Sequence, residues 1–223
     1  METSKHAIPM TVHVLAVSDQ IDPRIHSATI RTRMPEVQMV FGCGDLPARY
    51  LEFLADALEK PVYFVLGNHM EEWTRHYVTG KTYDPMGCIN LDGKVVRDRS
   101  TGLLIGGLPG SPKYSGEGGQ QFTELQMSIK ILKMLPGLMR HRLRRGRWLD
   151  VLLTHAPARD VNDGPDVAHR GFKSMRWFLK AFKPSYHLHG HIHLYDRNIP
   201  HVAIYGDVEV INVYPYQKLD LDL

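Results

Sequence analysis

The stretch QMVFGCGDLPARYLEFLADALEKPVYFVLGNH, residues 38–69, holds a whole strand–loop–helix–strand unit. Residues 38–41 form a short apolar run of strand type. Residues 47–60 carry Leu51, Leu54, Ala55 and Leu58 at the spacing of one helix face, and Pro47 suits a first helical turn. Residues 61–66 are apolar again. Each strand then runs into polar residues: Gly42-Cys43-Gly44-Asp45 after the first, Gly67-Asn68-His69 after the second.

The pattern repeats outward in both directions. The apolar run 11–17 ends in Ser18-Asp19, and 151–154 leads into His155-Ala156-Pro157. Residues 187–188 lead into His189-Gly190-His191-Ile192-His193. Further strands are expected over 103–105, 201–205 and 208–213. Helices are expected over 122–135, with Pro136 ending or kinking it, and over 171–182. The Gly-rich segment 106–119 reads as the longest loop, and its part 106–111 is expected to approach a substrate from above the site. Alternating strands and helices predict an α/β layered fold, taken as a single domain over 1–223. Strand ends in such folds converge on one rim, so five polar clusters at strand ends predict a site. Gly44, Gly67 and Gly190 precede polar residues and tolerate the backbone angles needed to aim them.

Composition bounds the rest. In 223 residues, 43% are hydrophobic and 23% charged, an ordinary globular balance that argues against disorder. A formal charge of +3 does not by itself call for a nucleic-acid or membrane partner. No segment reaches the roughly 18 apolar residues of a membrane span. The short apolar run 12–17 lacks a basic lead and contains His13, unlike a signal peptide. Two cysteines, Cys43 and Cys88, form no CxxC pair, so no disulfide framework is expected and a cytoplasmic setting is the default.

Two carboxylates, an amide and three imidazoles without a thiolate make a mixed oxygen and nitrogen ligand set. Such a set suits Mn²⁺, Fe, Zn²⁺ or Co²⁺. On an extended segment His191 and His193 face the same side, each able to serve a different metal. In this order and spacing, Asp19-Gln20-Ile21, Gly44-Asp45, Gly67-Asn68-His69, His155 and Gly190-His191-Ile192-His193 resemble the calcineurin-like metallophosphoesterase family. The resemblance spans roughly residues 11–194.

It implies two mixed β-sheets packed as a sandwich and flanked by helices, a four-layer αββα fold. It also implies two divalent cations, Mn²⁺ first among candidates, and hydrolysis of a small phosphate mono- or diester by a metal-bound hydroxide. By the same resemblance Asp45 bridges the metals and Asn68, His155 and His191 complete the second site. Asp19 and His193 hold the first, and His69 stands by the phosphate as catalytic acid or charge stabiliser.

Two positions depart from the family pattern. Ile21 stands where the first motif ends in His, which leaves the first site short of a ligand. The expectation is weaker binding there, with Asp22 or Gln20 as a substitute ligand. Met70 follows the third motif where an acidic residue is usual. Among the remaining residues, His187 and His189 match no ligand position and are expected in the core or behind the ligands. His169 and Arg170 are candidates for the substrate side, although His169 also reads as a helix cap. Asp163 and Asp166 flank Gly164-Pro165 and read as turn formers. The basic run 140–147 reads as a solvated helix end in preference to a face for a phosphate-rich partner. The rival functions are a metal-binding scaffold that has lost catalysis, which Ile21 supports, and a nuclease using the run 140–147.

Overall fold

The computed structural model describes residues 11–69, 83–115, 119–196 and 198–222, and Met70 lies outside them. Strands β1 (Thr11–Val17), β2 (Met39–Cys43), β3 (Val62–Val65) and β4 (Cys88–Asn90) lie parallel in one sheet. Its far edge is β13 (Tyr216–Asp222), antiparallel to β1 along all seven residues, from Thr11 opposite Asp222 to Val17 opposite Tyr216.

The second sheet has the order β11 (Val202–Tyr205), β12 (Val208–Asn212), β10 (Tyr186–His189), β9 (Val151–Thr154), β6 (Leu104–Leu108), β5 (Val95–Arg97). Its four central strands are parallel and its two edge pairs antiparallel. A short parallel ladder joins β7 (Ser111–Pro112) to β8 (Gln121–Phe122).

Period-two alternation assigns each face its neighbours. Val12, Val14 and Ala16 of β1 join Phe41, Tyr63, Ile105, Val151, Leu153, Leu188 and Ile211 in the layer between the sheets. Leu15 and Val17 face the other way, with Val40, Phe64 and Leu51, Leu54 and Leu58 of α2 (Ala48–Leu58). The short α1 (Ile30–Arg33) adds Ile30 there. The outer face of the second sheet, including Leu104, Leu152 and Val210, packs under α3 (Glu124–Arg145) and α4 (Lys173–Phe182). The order helix, sheet, sheet, helix is the expected four-layer arrangement. Cutting Phe41, fully buried between the sheets, to alanine is expected to cost about 3–5 kcal/mol.

Two expectations need correction. Residues 106–108 are not loop but the buried core of β6. A Cβ on Gly107 would stand 2.5 Å from Leu91 Cβ, so glycine marks close packing there. Nor does Pro136 end its helix. The first turn is closed by a capping box, in which the Thr123 side chain accepts from Gln126 N–H and Gln126 Oε1 accepts from Thr123 N–H. Pro136 falls on the exposed side, while Met127, Ile131, Met134 and Leu138 form one buried row on both sides of it. Burial of Leu138 beyond the proline outweighs the missing N–H. The helix ends at Gly146, whose left-handed backbone lets its N–H reach Arg142 O.

Candidate metal centre

Five strand ends on the two sheets carry the predicted residues to one place. Asp19 follows β1, Asp45 follows β2, Asn68 and His69 follow β3, His155 follows β9, and His191 and His193 follow β10. Backbone bonds stitch these turns together, with Asp19 N–H on Gly44 O and Gly190 N–H on His155 O. The expected role of glycine holds at Gly44, with φ +90°. Elsewhere the left-handed backbone falls on the site residues themselves: Asp19 (61°), Asp45 (52°) and His191 (66°). Gly67 is there for space, since a Cβ on it would lie 2.0 Å from Asp45 Oδ1.

His155 is the hub. Its Nδ1 lies 2.9 Å from Cys43 O, and a carbonyl only accepts, so Nδ1 carries the hydrogen. Its Nε2, bare when the ring is neutral, faces Asn68 Oδ1 at 2.9 Å, His191 Nδ1 at 3.2 Å and Asp45 Oδ2 at 3.3 Å. His191 is fixed the same way, its Nε2–H donating to Ala168 O at 2.8 Å and leaving Nδ1 bare. Asn68 is oriented by its Nδ2, which donates to the Tyr114 hydroxyl at 3.3 Å. With both histidines neutral, four lone-pair atoms therefore crowd one buried point with no hydrogen among them. Only a positive charge, a proton or a metal cation, holds such a set together. Ring nitrogens anchored to backbone carbonyls are also how metal-binding histidines are oriented.

The electrostatics agree. Burial pushes the Asp45 carboxyl up, but His155 and the His69 N–H on Oδ1, at 2.9 Å, bring it down to about 2. Burial pushes His155 down, yet the Asp45 carboxylate raises it to about 9. Burial, reinforced by charge on His155, lowers His191 to about 3. Asp19, Asp45 and His155 each offer a ligand atom within 4.8 Å of the others. Asp19 Oδ2 accepts His191 N–H at 3.0 Å, and its Oδ1 is 3.4 Å from His193 Nε2. His193 is the exposed member, with 40% of its side chain open to solvent. It stacks on Tyr214 with ring centres 4.6 Å apart, and its Nδ1 lies 2.9 Å from the Tyr195 hydroxyl.

The other predicted residues are placed as follows. His69 touches Asp45 through its backbone, and its ring is exposed. Asp22 is not gathered with the ligands: both its oxygens are taken by Arg24, at 2.9 and 2.6 Å, which holds its carboxyl below the usual range. Gln20 accepts from the Tyr214 hydroxyl at 2.6 Å, and Ile21 packs against the α2-side core. His169 lies beside the site, its ring 5.4 Å from that of His191 and its Nδ1 on Asp166 at 2.8 Å. Arg170 is exposed and turned to Pro165 O.

His187 and His189 are buried behind the candidate ligands. His187 Nε2 donates to Thr154 Oγ1, His189 Nδ1 donates to Gly190 O, and burial holds both neutral. Sequence reasoning missed the carbonyls of Cys43 and Ala168, which any residue type supplies. It also missed Tyr114, Tyr195 and Tyr214, which lie outside every strand-end cluster.

Two mixed sheets between helices, with an acid, amide and imidazole set at the strand ends, define the metallophosphoesterase class of fold. The chain belongs to the calcineurin-like phosphoesterase family, whose model matches residues 31–195. That family is generally hydrolytic and typically depends on divalent metal. One crystal structure resembles the chain with a TM-score of 0.64 at 14% identity, over 95% of this chain and 96% of the other. TT1561 of Thermus thermophilus resembles it with a TM-score of 0.60 at 15% identity, over 92% and 89%. At such identities the likeness concerns the fold alone. No curated protein sequence matches significantly. No helix among the described residues is long and apolar enough to cross a membrane.

Proposed function

We propose that the chain is a metal-dependent phosphoesterase that hydrolyses a small phosphate mono- or diester. The observation that carries this reading is the convergence of Asn68 Oδ1, Asp45 Oδ2, His155 Nε2 and His191 Nδ1 as acceptors around one buried point. Asp45, Asn68, His155 and His191 are the proposed ligands of one divalent cation. Asp19 and His193, with Asp45 shared, are those of a second, and Mn²⁺ is the first candidate. Bound there, the cations would act as Lewis acids toward the phosphoryl oxygens and would activate water at neutral pH.

The chain's own residues do the rest. The Cys43 and Ala168 carbonyls keep the two ring nitrogens bare and aimed. Tyr114 keeps the Asn68 oxygen, not its amide nitrogen, turned inward. His69, exposed beside Asp45, is open to a substrate and is assigned the proton for the leaving oxygen. Release of nitrophenol from 4-nitrophenyl phosphate or its bis-ester should require Mn²⁺ or a similar ion, and Asp45→Ala or His191→Ala should abolish it. Undiminished turnover in both variants would remove the assignment.

One observation favours a second reading. Ile21, in the position of a family ligand, is half-buried and packs against the apolar core on the α2 side. A scaffold that binds metal without catalysis would show tight metal and no turnover on any ester, and Ile21→His would then add activity. A nuclease would instead show turnover of single-stranded nucleic acid that falls steeply with salt.

A further inference from the structure

Helix α3 has a second apolar face that covers nothing. Leu125, Ile129, Leu132, Pro136, Met139 and Leu143 follow one another at alternating steps of four and three residues, so they fall on one line along the helix. All are exposed, the apolar side chains from 44% at Ile129 to 85% at Leu143. This line is distinct from the buried row of Met127, Ile131, Met134 and Leu138. A stripe of this length, about 27 Å at 1.5 Å per residue, is not scattered surface apolarity. It is extended sideways by Trp177 of α4, itself exposed, across a cavity of about 480 Å³ that Ile131 and Leu132 also line.

Charge decides what covers it. Lys133, Arg140 and Arg144 each follow a stripe residue by one position, so they form a cationic row along one flank. Across Glu124–Arg145 there are six lysines and arginines against one acid, 6 − 1 = +5. That acid is occupied, since Glu124 caps α4 by accepting from the N–H groups of Lys173 and Ser174. Lys130 is paired with Asp92, whereas Lys133, Arg140, Arg144 and Arg145 have no ion pair among the described residues. A second copy laid stripe to stripe would bring two +5 helices together with no acidic row to receive them. A bilayer with anionic head groups offers what this face lacks, a negative plane above an apolar interior.

We infer that α3 is a docking surface for an anionic lipid bilayer, lying in the head-group plane with Leu125, Ile129, Leu132, Met139 and Leu143 inserted and the Lys133–Arg140–Arg144 row on lipid phosphates. Nothing in this inference depends on the phosphoesterase reading. The test is co-sedimentation of the full chain with vesicles of pure phosphatidylcholine and with vesicles in which about a third of the lipid is phosphatidylglycerol. Binding should favour the anionic vesicles by about tenfold and fall as NaCl rises from about 0.1 to about 0.5 M.

Leu132→Glu with Leu143→Glu should lose binding to both vesicle types, and Arg140→Glu with Arg144→Glu should lose only the anionic preference. Unchanged far-UV circular dichroism and melting in both would show that these exposed sites leave the fold intact. Absence of binding to anionic vesicles, or binding unchanged in the leucine variants, overturns the inference. So does a dimer by light scattering that Leu132→Glu dissociates, which assigns the stripe to a second copy. Duplex DNA that outcompetes the vesicles, and is released by the arginine variants alone, assigns it to nucleic acid.

Discussion

The two halves of the site are built to different standards. Around His155 both ring nitrogens of His155 and of His191 are committed, the two rings are buried, and two backbone carbonyls and a tyrosine hold the candidate ligand atoms in place. Around His193 the imidazole is exposed, one Asp19 oxygen lies 3.4 Å away, the ring leans on Tyr214 and Tyr195, and the half-buried Ile21 packs against the core. The difference teaches that preorganisation follows burial. Where the fold excludes water, the ring nitrogens of His155 and His191 are each answered by a fixed partner, and answering them fixes the geometry. At the open end, water answers instead and the geometry is left loose.

The largest expected effect tests the buried half. His155→Ala removes the hub, and nitrophenol release should fall by at least about a thousandfold with loss of the tighter cation on metal analysis. Next, His69→Gln should lower turnover by about 10²–10⁴-fold while both cations stay bound, since its contact with Asp45 is through the backbone. A smaller effect probes the open half. Tyr214→Ala withdraws the stacking partner of His193 and should weaken the looser cation by about tenfold, leaving the tighter one in place. Ile21→His should strengthen that same cation, and equal tightness of both in the wild type would erase the contrast.

The last prediction concerns pH. In metal-free protein the stabilisation from His155 is complete below about 6.5 and is lost as pH rises through about 9. That from Asp45 is complete above 3.8 and is lost as pH falls through about 2. Thermal melts should therefore show an alkaline decline in Tm in the wild type that is smaller in His155→Gln.

Much of this was legible in the sequence, and the failures have physical causes. The strand 11–17 is legible to the residue because an apolar run broken only by His13, and buried on both faces from Val14 on, has few other readings at that length. The candidate ligands stood out because polar residues directly after apolar strands have few structural uses together. β13 escaped notice because Leu219 and Leu221 alternate with charges on a half-exposed edge, where the apolar signal is halved. α3 was cut short because a proline was weighed as a local breaker, whereas Leu138 beyond it has a place in the core. The carbonyl anchors were illegible in principle, since a backbone oxygen has no letter in the sequence.

The pairing of β13 with β1 sets an order of assembly. β1, which aims Asp19, gets its outer neighbour only from residues 216–222, some two hundred positions downstream, and Ser18 N–H is answered by Pro215 O. Such a distant closure is among the slowest contacts a chain can make. A polypeptide still being synthesised therefore carries Asp19 on a strand open along one side, and the end of the protein that bears the candidate metal site matures only after residues 216–222 have emerged from the ribosome.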